Sequence, residues 1–414
     1  MKFIAATYGT EGDTRPLAAL CRALIDAGHE AVLLADGSTL ASVSALGVPS
    51  VALAGDIKGV LQPTHAISGV VAARPGFSST ASALARIANT NAESWLRDIV
   101  TEGRGCDAII VSGLAAFVGL SAAEHLGVKA IGAGFIPITP TATFASPFLP
   151  PNRLPSFANR ASHHFVNGML WRAFRKKTNA ARAAVCGLPP RHELWTDHPM
   201  LYGVSPSLLT GSGHQPNDWP ENAYACGQWA VAPPHWTAPK SLTDFLQAGE
   251  APIYIGFGSM TGFDSQKLLN DVIKATDGHR ALFYPGWSGV DTTKLPANFL
   301  AIDETPHDWL FPRTSLVVHH GGSGTTHSAA RAGVPSVVVP FAADQFFWAE
   351  RLRQAGVAAE ALSWKQMDAK RLAARMAFAK TDEVVQRART LGHAMRAETG
   401  LLNAVARIEA MMRG

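Results

Sequence analysis

Two successive series of short apolar runs, each run handing over to a helical pattern, divide this chain, and that alternation most limits its fold. Strands of this kind followed by helices build parallel sheets covered on both faces, the α/β class. The first series opens with a strand over Lys2–Thr7, a polar glycine-containing turn, and a helix expected from Pro16. Leu17, Leu20, Cys21, Leu24 and Ile25 share one face of that helix, and Gly28 follows as its stop. Further strands are expected at Ala31–Ala35, Asp107–Ser112 and Lys129–Gly134. The second series starts with a buried strand from Pro252 that ends in the glycine turn before Ser259. It continues through Arg280–Tyr284, Phe299–Asp303, Ser315–His319 and Ser336–Pro340.

Between the two series, residues 229–249 contain Pro233, Pro234 and Pro239 and read as an interdomain linker. The expected organisation is a first Rossmann-like domain over 1–228, a second over 250–395, and a terminal helix over 396–414 that packs back on the first. At ~100–200 residues per domain, 414 residues accommodate this. Charged residues make up 16%, below the ~25% average, so sizeable cores are available. A net charge of +4 is too weak to argue for nucleic acid. The four cysteines (Cys21, Cys106, Cys186, Cys226) form no CxxC pair, which excludes a disulfide framework and suits a reducing cytoplasm. The opening apolar run is too short for a signal peptide, and the uncharged stretch Ala108–Ala123 falls short of the ~20 residues of a membrane helix.

Ligands of open α/β sheets collect at the carboxyl ends of strands, so the informative loops are 8–15, 258–263, 303–308, 319–326 and 341–346. The loop over 319–326 reads His319-His320-Gly321-Gly322-Ser323-Gly324-Thr325-Thr326 and opens a helix that ends at Gly333. Glycines admit a ligand close to the backbone, and the helix start offers unpaired N–H groups and partial positive charge, an anion site for phosphates. A turn serving helix–sheet packing is the alternative. The loop is neither a P-loop, lacking Gly-Lys-Ser/Thr, nor a GxGxxG dinucleotide fingerprint.

The spacing continues through Gly333-Val-Pro335, Pro340 and Asp344-Gln345. From Pro306 to Ala349 it resembles the donor-binding signature of the family 1 glycosyltransferases, which have the GT-B fold: two Rossmann-like, doubly wound domains facing a central cleft. Within the family it is most similar to sterol glucosyltransferases and antibiotic-aglycone glycosyltransferases. Weaker likeness extends to Gly256–Ser259, Leu170–Pro189 and Gly12–Pro16. The resemblance implies a UDP- or dTDP-hexose as co-substrate and no other cofactor. It implies that His320, Gly322, Gly324 and Thr325 hold the diphosphate, with Ser259 reaching it from the neighbouring loop. Asp344 and Gln345 would bind the donor sugar's hydroxyls; an N-cap role for Asp344 stands beside this. Ile302 occupies the position where many relatives stack a tryptophan on uracil, and Ser328 the position of their ribose-binding glutamate, so uridine and thymidine both stay open.

In the antibiotic-type relatives the place matched by Asp13 is taken by an aspartate base. An inverting transfer needs one base to take the acceptor's hydroxyl proton. Capping of the helix near Pro16, or pairing with Arg15, are the other roles open to Asp13, and Glu11 is the spare base. No Asp-x-Asp pair for a divalent metal occurs in the chain, and no metal site is expected. The histidines of His192–His198 stand six apart rather than four, unlike a zinc protease motif. The implied activity is transfer of a hexose to a hydroxyl of a lipophilic acceptor, with Phe144, Phe148 and Trp171 as acceptor contacts. A nucleotide-sugar epimerase and a non-catalytic nucleotide-sugar-binding protein are the rival readings. Residues 125–192 contain nine basic and no acidic residues. The basic part over 153–191 reads either as a solvated helix face or as a peripheral contact with the inner membrane face.

Overall fold

A computed structural model describes residues 1–61, 78–258, 260 and 264–413. Among these residues twelve strands form two parallel sheets. The first contains β1 (Lys2–Ala6), β2 (Glu30–Asp36), β3 (Ser50–Leu53), β4 (Ala108–Val111), β5 (Lys129–Gly134), β6 (Met200–Tyr202) and β7 (Ala223–Ala225), in the order β3-β2-β1-β4-β5-β6-β7. The second contains β8 (Ile253–Gly256), β9 (Ala281–Tyr284), β10 (Phe299–Ala301), β11 (Leu316–His319) and β12 (Ser336–Val338), in the order β10-β9-β8-β11-β12. Both are doubly wound: the order reverses beside β1 and beside β8. Strands buried on both faces need unbroken apolar runs, and Phe3, Ile4, Ala5 and Ala6 are each fully buried.

Two segments differ from expectation. The first helix spans Glu11–Asp26 and therefore starts five residues before Pro16. Thr10 accepts from the Gly12 N–H, while the Asp13 carboxylate accepts from the Thr10 N–H at 3.0 Å, a reciprocal capping box. Of the expected linker, residues 240–247 form a helix whose Leu242 is buried with Tyr254, Leu282 and Phe311 of the second sheet's layer.

Three packing units fix how the halves sit. The terminal helix Gly400–Arg413 crosses back to the first sheet, placing Ala404, Val405 and Ile408 in one core with Leu17, Leu20 and Cys21. A second cluster is shared by the halves: Phe144, Tyr202, Leu208 and Leu209 from the first meet Phe347, Trp348 and Leu352 from the second. The Phe144 and Phe347 rings meet edge-on at 5.1 Å. Burying one such side chain contributes roughly 1.5–3 kcal/mol, so this cluster is a shared core rather than a loose contact. A polar bond joins the halves closer to the cleft, where the Gln228 amide donates to Ser328 Oγ at 2.8 Å.

Candidate active site

The carboxyl ends of both sheets open onto one cleft with a cavity of about 2820 Å³. Ordinary small-molecule pockets measure ~300–1,000 Å³, so there is room for two substrates at once. Asp13, Ile302, His320, Gly322, Gly324, Thr325, Asp344, Gln345 and Phe148 all border it. Ser259 lies outside the described residues.

Strand register brings the second half's loops together. Gly256 pairs with His319, and His319 with Val338, so the chain leaves β8, β11 and β12 side by side. Two glycines make the close approach possible. Gly258 has φ +59°, and a Cβ there would lie 2.9 Å from the His320 ring. Gly321 has φ +92°, and a Cβ there would meet Val338 and the Gln345 carbonyl. The helix Ser323–Ala332 then begins with Gly322 as its N-cap and no side chain capping its first N–H groups. Its leading N–H groups therefore point into the cleft unpartnered by a cap. A Cβ on Gly324 would touch nothing within 4 Å, so this helix start is open to a ligand.

His320 is desolvated, and burial pushes its pKa down to about 4. At physiological pH the ring is therefore neutral, able to offer a hydrogen bond but not a positive charge. Its Nδ1 atom is buried without a hydrogen-bond partner, as is Thr326 Oγ1 behind it. His319 is occupied structurally: its Nδ1 accepts from the Gly321 N–H at 3.1 Å, which braces the glycine turn.

Asp344 stands at the N-cap position of the helix Gln345–Gln354 but makes no side-chain cap bond. Its carboxylate instead accepts from the Trp348 indole N–H at 3.0 Å and borders the cavity. Burial, and then the charge of Asp13, raise its pKa to about 7. Both carboxylates border the same cavity. Burial likewise raises Asp13 to about 6, against the opposing effect of the Thr10 N–H. Gln345 is committed locally: its amide oxygen accepts from the Phe341 and Ala342 N–H groups at 2.7 and 3.1 Å, and its NH2 approaches Met260 Sδ. That leaves its NH2 group as what it can offer a ligand. Ile302 is buried beside Leu310 and Phe311 and presents an apolar surface where an aromatic ring was the alternative.

Two expected acceptor contacts are corrected. Phe144 is buried in the core shared by the two halves against Phe347, and Trp171 is buried against Phe117 and Trp195 with its indole N–H donating to the His192 carbonyl. Neither borders the cavity, because both bury their rings in packing between elements; Phe148 does border it. The alternatives for Asp13 also resolve geometrically. It does belong to a helix cap, but Arg15 pairs with Glu11 at 2.8 Å and with Glu304 of the second half, not with Asp13. Glu11 is thereby engaged at the cleft rim.

Two residues in and behind the cleft, His307 and Trp348, were not singled out from sequence. Trp348 holds Asp344 from one helical turn downstream, an i, i+4 spacing that the sequence itself contains. His307 stacks on Phe311 at 4.3 Å and is kept neutral by burial, its pKa pushed down to about 3. Ser328, in place of a ribose-binding glutamate, accepts the interdomain bond from Gln228, whose own amide oxygen is buried without a partner. Among the described residues no group of three or more histidine, cysteine or acidic side chains is arranged to hold a metal ion.

Two Rossmann-like domains opening onto one cleft define the architecture, and the comparisons identify the family. Residues 267–411 match the family described as the C-terminal domain of erythromycin biosynthesis protein CIII-like proteins. The chain is 33% identical over 428 residues to O-mycaminosyltylonolide 6-deoxyallosyltransferase of Streptomyces fradiae, covering 99% of this chain and 97% of that protein. It is 29% identical over 443 residues to the sterol 3-beta-glucosyltransferase of Cryptococcus neoformans, spanning 98% of this chain but 27% of that much longer protein. Among solved structures, the glycosyltransferase VinC in complex with dTDP superposes with a TM-score of 0.66 over 100% of both chains, at 19% identity. The chain belongs to the GT-B glycosyltransferase family that contains the antibiotic-modifying and sterol-modifying enzymes.

Proposed function

We propose that this protein is an inverting glycosyltransferase that moves a hexose, glucose foremost, from UDP or dTDP to a hydroxyl of a lipophilic acceptor such as a sterol, terpenoid or polyketide. The observation that carries the reading is that a desolvated carboxylate, Asp13, an uncapped helix start and Asp344 all border one cavity. The related proteins are named for sterol and macrolide acceptors, and one solved neighbour is named for bound dTDP, which supports the same substrate classes.

The chemistry follows from the geometry. The nucleotide sugar lies on the second half, with its diphosphate at the N–H groups of residues 323–325 and beside neutral His320. Hydrogen bonds to such a charged group contribute about 1.5–3 kcal/mol each. Asp344, held by Trp348, accepts from the sugar's hydroxyls, and the NH2 of Gln345 donates. The acceptor enters from the first half, where Phe148, Phe117 and Leu114 border the cavity. As its oxygen bonds to the anomeric carbon, Asp13 takes the proton, and the bond from that carbon to the phosphate oxygen breaks. The nucleoside diphosphate leaves with the extra negative charge directed at the helix start. A carboxylate near pKa 6 is still ionised at pH 7 yet basic enough to accept the proton. The helix start takes the place that a metal held by an Asp-x-Asp pair fills in other folds.

Incubation with UDP-glucose or dTDP-glucose and a panel of apolar alcohols tests the reading, with products identified by mass spectrometry. A hexosylated acceptor is expected. An isomerised donor sugar, or saturable donor binding with no product from any acceptor, would overturn it.

A further inference from the structure

The helix Asn159–Ala181 carries a stripe that the cleft chemistry does not use. Phe165, Met169, Arg172 and Lys176 stand at i, i+4, i+7 and i+11, which places them along one side of the helix. All four are exposed, Phe165 by 60% and Met169 by 43%. Immediately upstream, Phe157 is 88% exposed and Leu154 39%. Leu154, Phe157, Phe165 and Met169 account for nearly half of the nine large apolar side chains exposed among the described residues and all fall within 154–169, a local concentration and not ordinary scatter.

Its charge is one-sided. No acidic residue occurs between 125 and 192. Arg160 is neutralised by Asp218 at 2.6 Å, and Arg182 by Glu124 at 2.9 Å. Arg153, Arg172, Arg175, Lys176 and Lys177 have no ion pair among the described residues and are all exposed. Exposed phenylalanines flanked by unpaired arginine and lysine match a surface of apolar chains under anionic headgroups. The patch also adjoins the cleft: His164 and Met169 on the same helix, and Phe148 just before it, border the cavity. No helix among the described residues is long and apolar enough to cross a membrane.

We propose that the surface formed by Leu154, Phe157, Phe165, Met169 and the neighbouring basic residues docks this protein on an anionic lipid bilayer, with the acceptor side of the cleft facing the lipid. The docking stands on its own; delivery of a lipophilic acceptor from the bilayer rests on the function proposed above. An apolar alcohol would then pass from the membrane into the cavity past Met169 and Phe148 without crossing water.

Sedimentation with phosphatidylcholine vesicles, with and without phosphatidylglycerol, tests the docking. The protein should pellet with the anionic vesicles and be released as salt rises, because such attraction is screened over ~8–10 Å. Each basic residue near an anionic bilayer contributes about fivefold to partitioning, so Arg172→Glu with Lys176→Glu should weaken binding by at least about tenfold. Phe157→Ser with Phe165→Ser should weaken it at every salt concentration. Both double variants alter exposed side chains, and circular dichroism and thermal melting should match the parent. Absence of binding to anionic vesicles, equal binding to neutral ones, or parent-like binding by both variants would overturn the proposal. Transfer to a sterol supplied in anionic vesicles should fall about tenfold in the variants, while transfer to the same sterol in detergent stays at the parent rate. Failure of all transfer with intact vesicle binding would count against the proposed function alone.

Discussion

Replacing Asp13 with asparagine separates its two roles. In the folded protein its carboxylate accepts from the Thr10 N–H at 3.0 Å and so closes the capping box of the helix Glu11–Asp26. The asparagine carbonyl can keep that bond, so the helix start should persist. Alanine would lose it, at a cost of about 0.5–2 kcal/mol. What asparagine cannot do is accept the acceptor's proton. General base catalysis contributes about 10²–10⁴ in rate, equal to about 2.7–5.4 kcal/mol of barrier at 1.36 kcal/mol per tenfold. Turnover of Asp13→Asn should fall by that factor while nucleotide affinity, measured by calorimetry, stays within about twofold. The pH profile adds a second readout. Parent kcat/KM should decline as pH falls through about 6, where the desolvated Asp13 carboxylate is protonated. Asp344 titrates nearby, at about 7, and part of its shift comes from the Asp13 charge. Removing that charge should move the remaining acid limb to lower pH. Initial glucosylation rates across the acid range would show both effects. Near-parent turnover, or an acid limb left unmoved, would return Asp13 to helix capping and refute the assignment.

Three further outcomes follow. Asp344 has a folded pKa raised to about 7, above its unfolded value, so its protonated form favours folding and stability is lost as pH rises through 7. Asp344→Asn should therefore raise Tm at alkaline pH, by ~2–4 °C per kcal/mol recovered, while transfer collapses; a Tm gain that is the same at pH 5 would contradict the burial argument. His320→Ala and Thr325→Ala should each weaken nucleotide binding by about tenfold to a hundredfold, with the His320 effect constant between pH 6 and 8 because the ring is already neutral. Lowered thermal stability with unchanged affinity would mean that the loop serves packing. Turnover should survive excess EDTA, and an absolute need for magnesium or manganese would contradict the assignment of the leaving group to the helix start.

Much of the frame was legible because buried parallel strands must be continuous apolar runs. The edges of β5, β9 and β11 fall within a residue of the expected ones. Gly333 closes the helix Ser323–Ala332 in a left-handed conformation, as its position implied. The early start of the first helix was also encoded, in Thr10 and Asp13 three residues apart, but Pro16 suggested a later one. What a single sequence conceals is which aromatic ring goes where between separated segments. Phe144 and Phe148 sit four residues apart in one loop, yet Phe347 captures the first and leaves the second to the cleft. The pairing of Arg15 with Glu304, and of Gln228 with Ser328, depends on how the two halves meet, and no local pattern reports that. The Asp344–Trp348 bond is different, being a one-turn relation that helical spacing contains.

The stereochemistry of the product tests the central claim most directly. In the proposed mechanism a single carboxylate, Asp13, acts from the face opposite the leaving diphosphate, which permits one displacement and therefore one inversion. With a UDP- or dTDP-glucose linked α at the anomeric carbon, proton NMR of the isolated glycoside should show the β anomer alone. An α-linked product would require a second displacement or a different attacking face, and would contradict the roles of Asp13 as base and of the helix start at residues 323–325 as the seat of the leaving diphosphate.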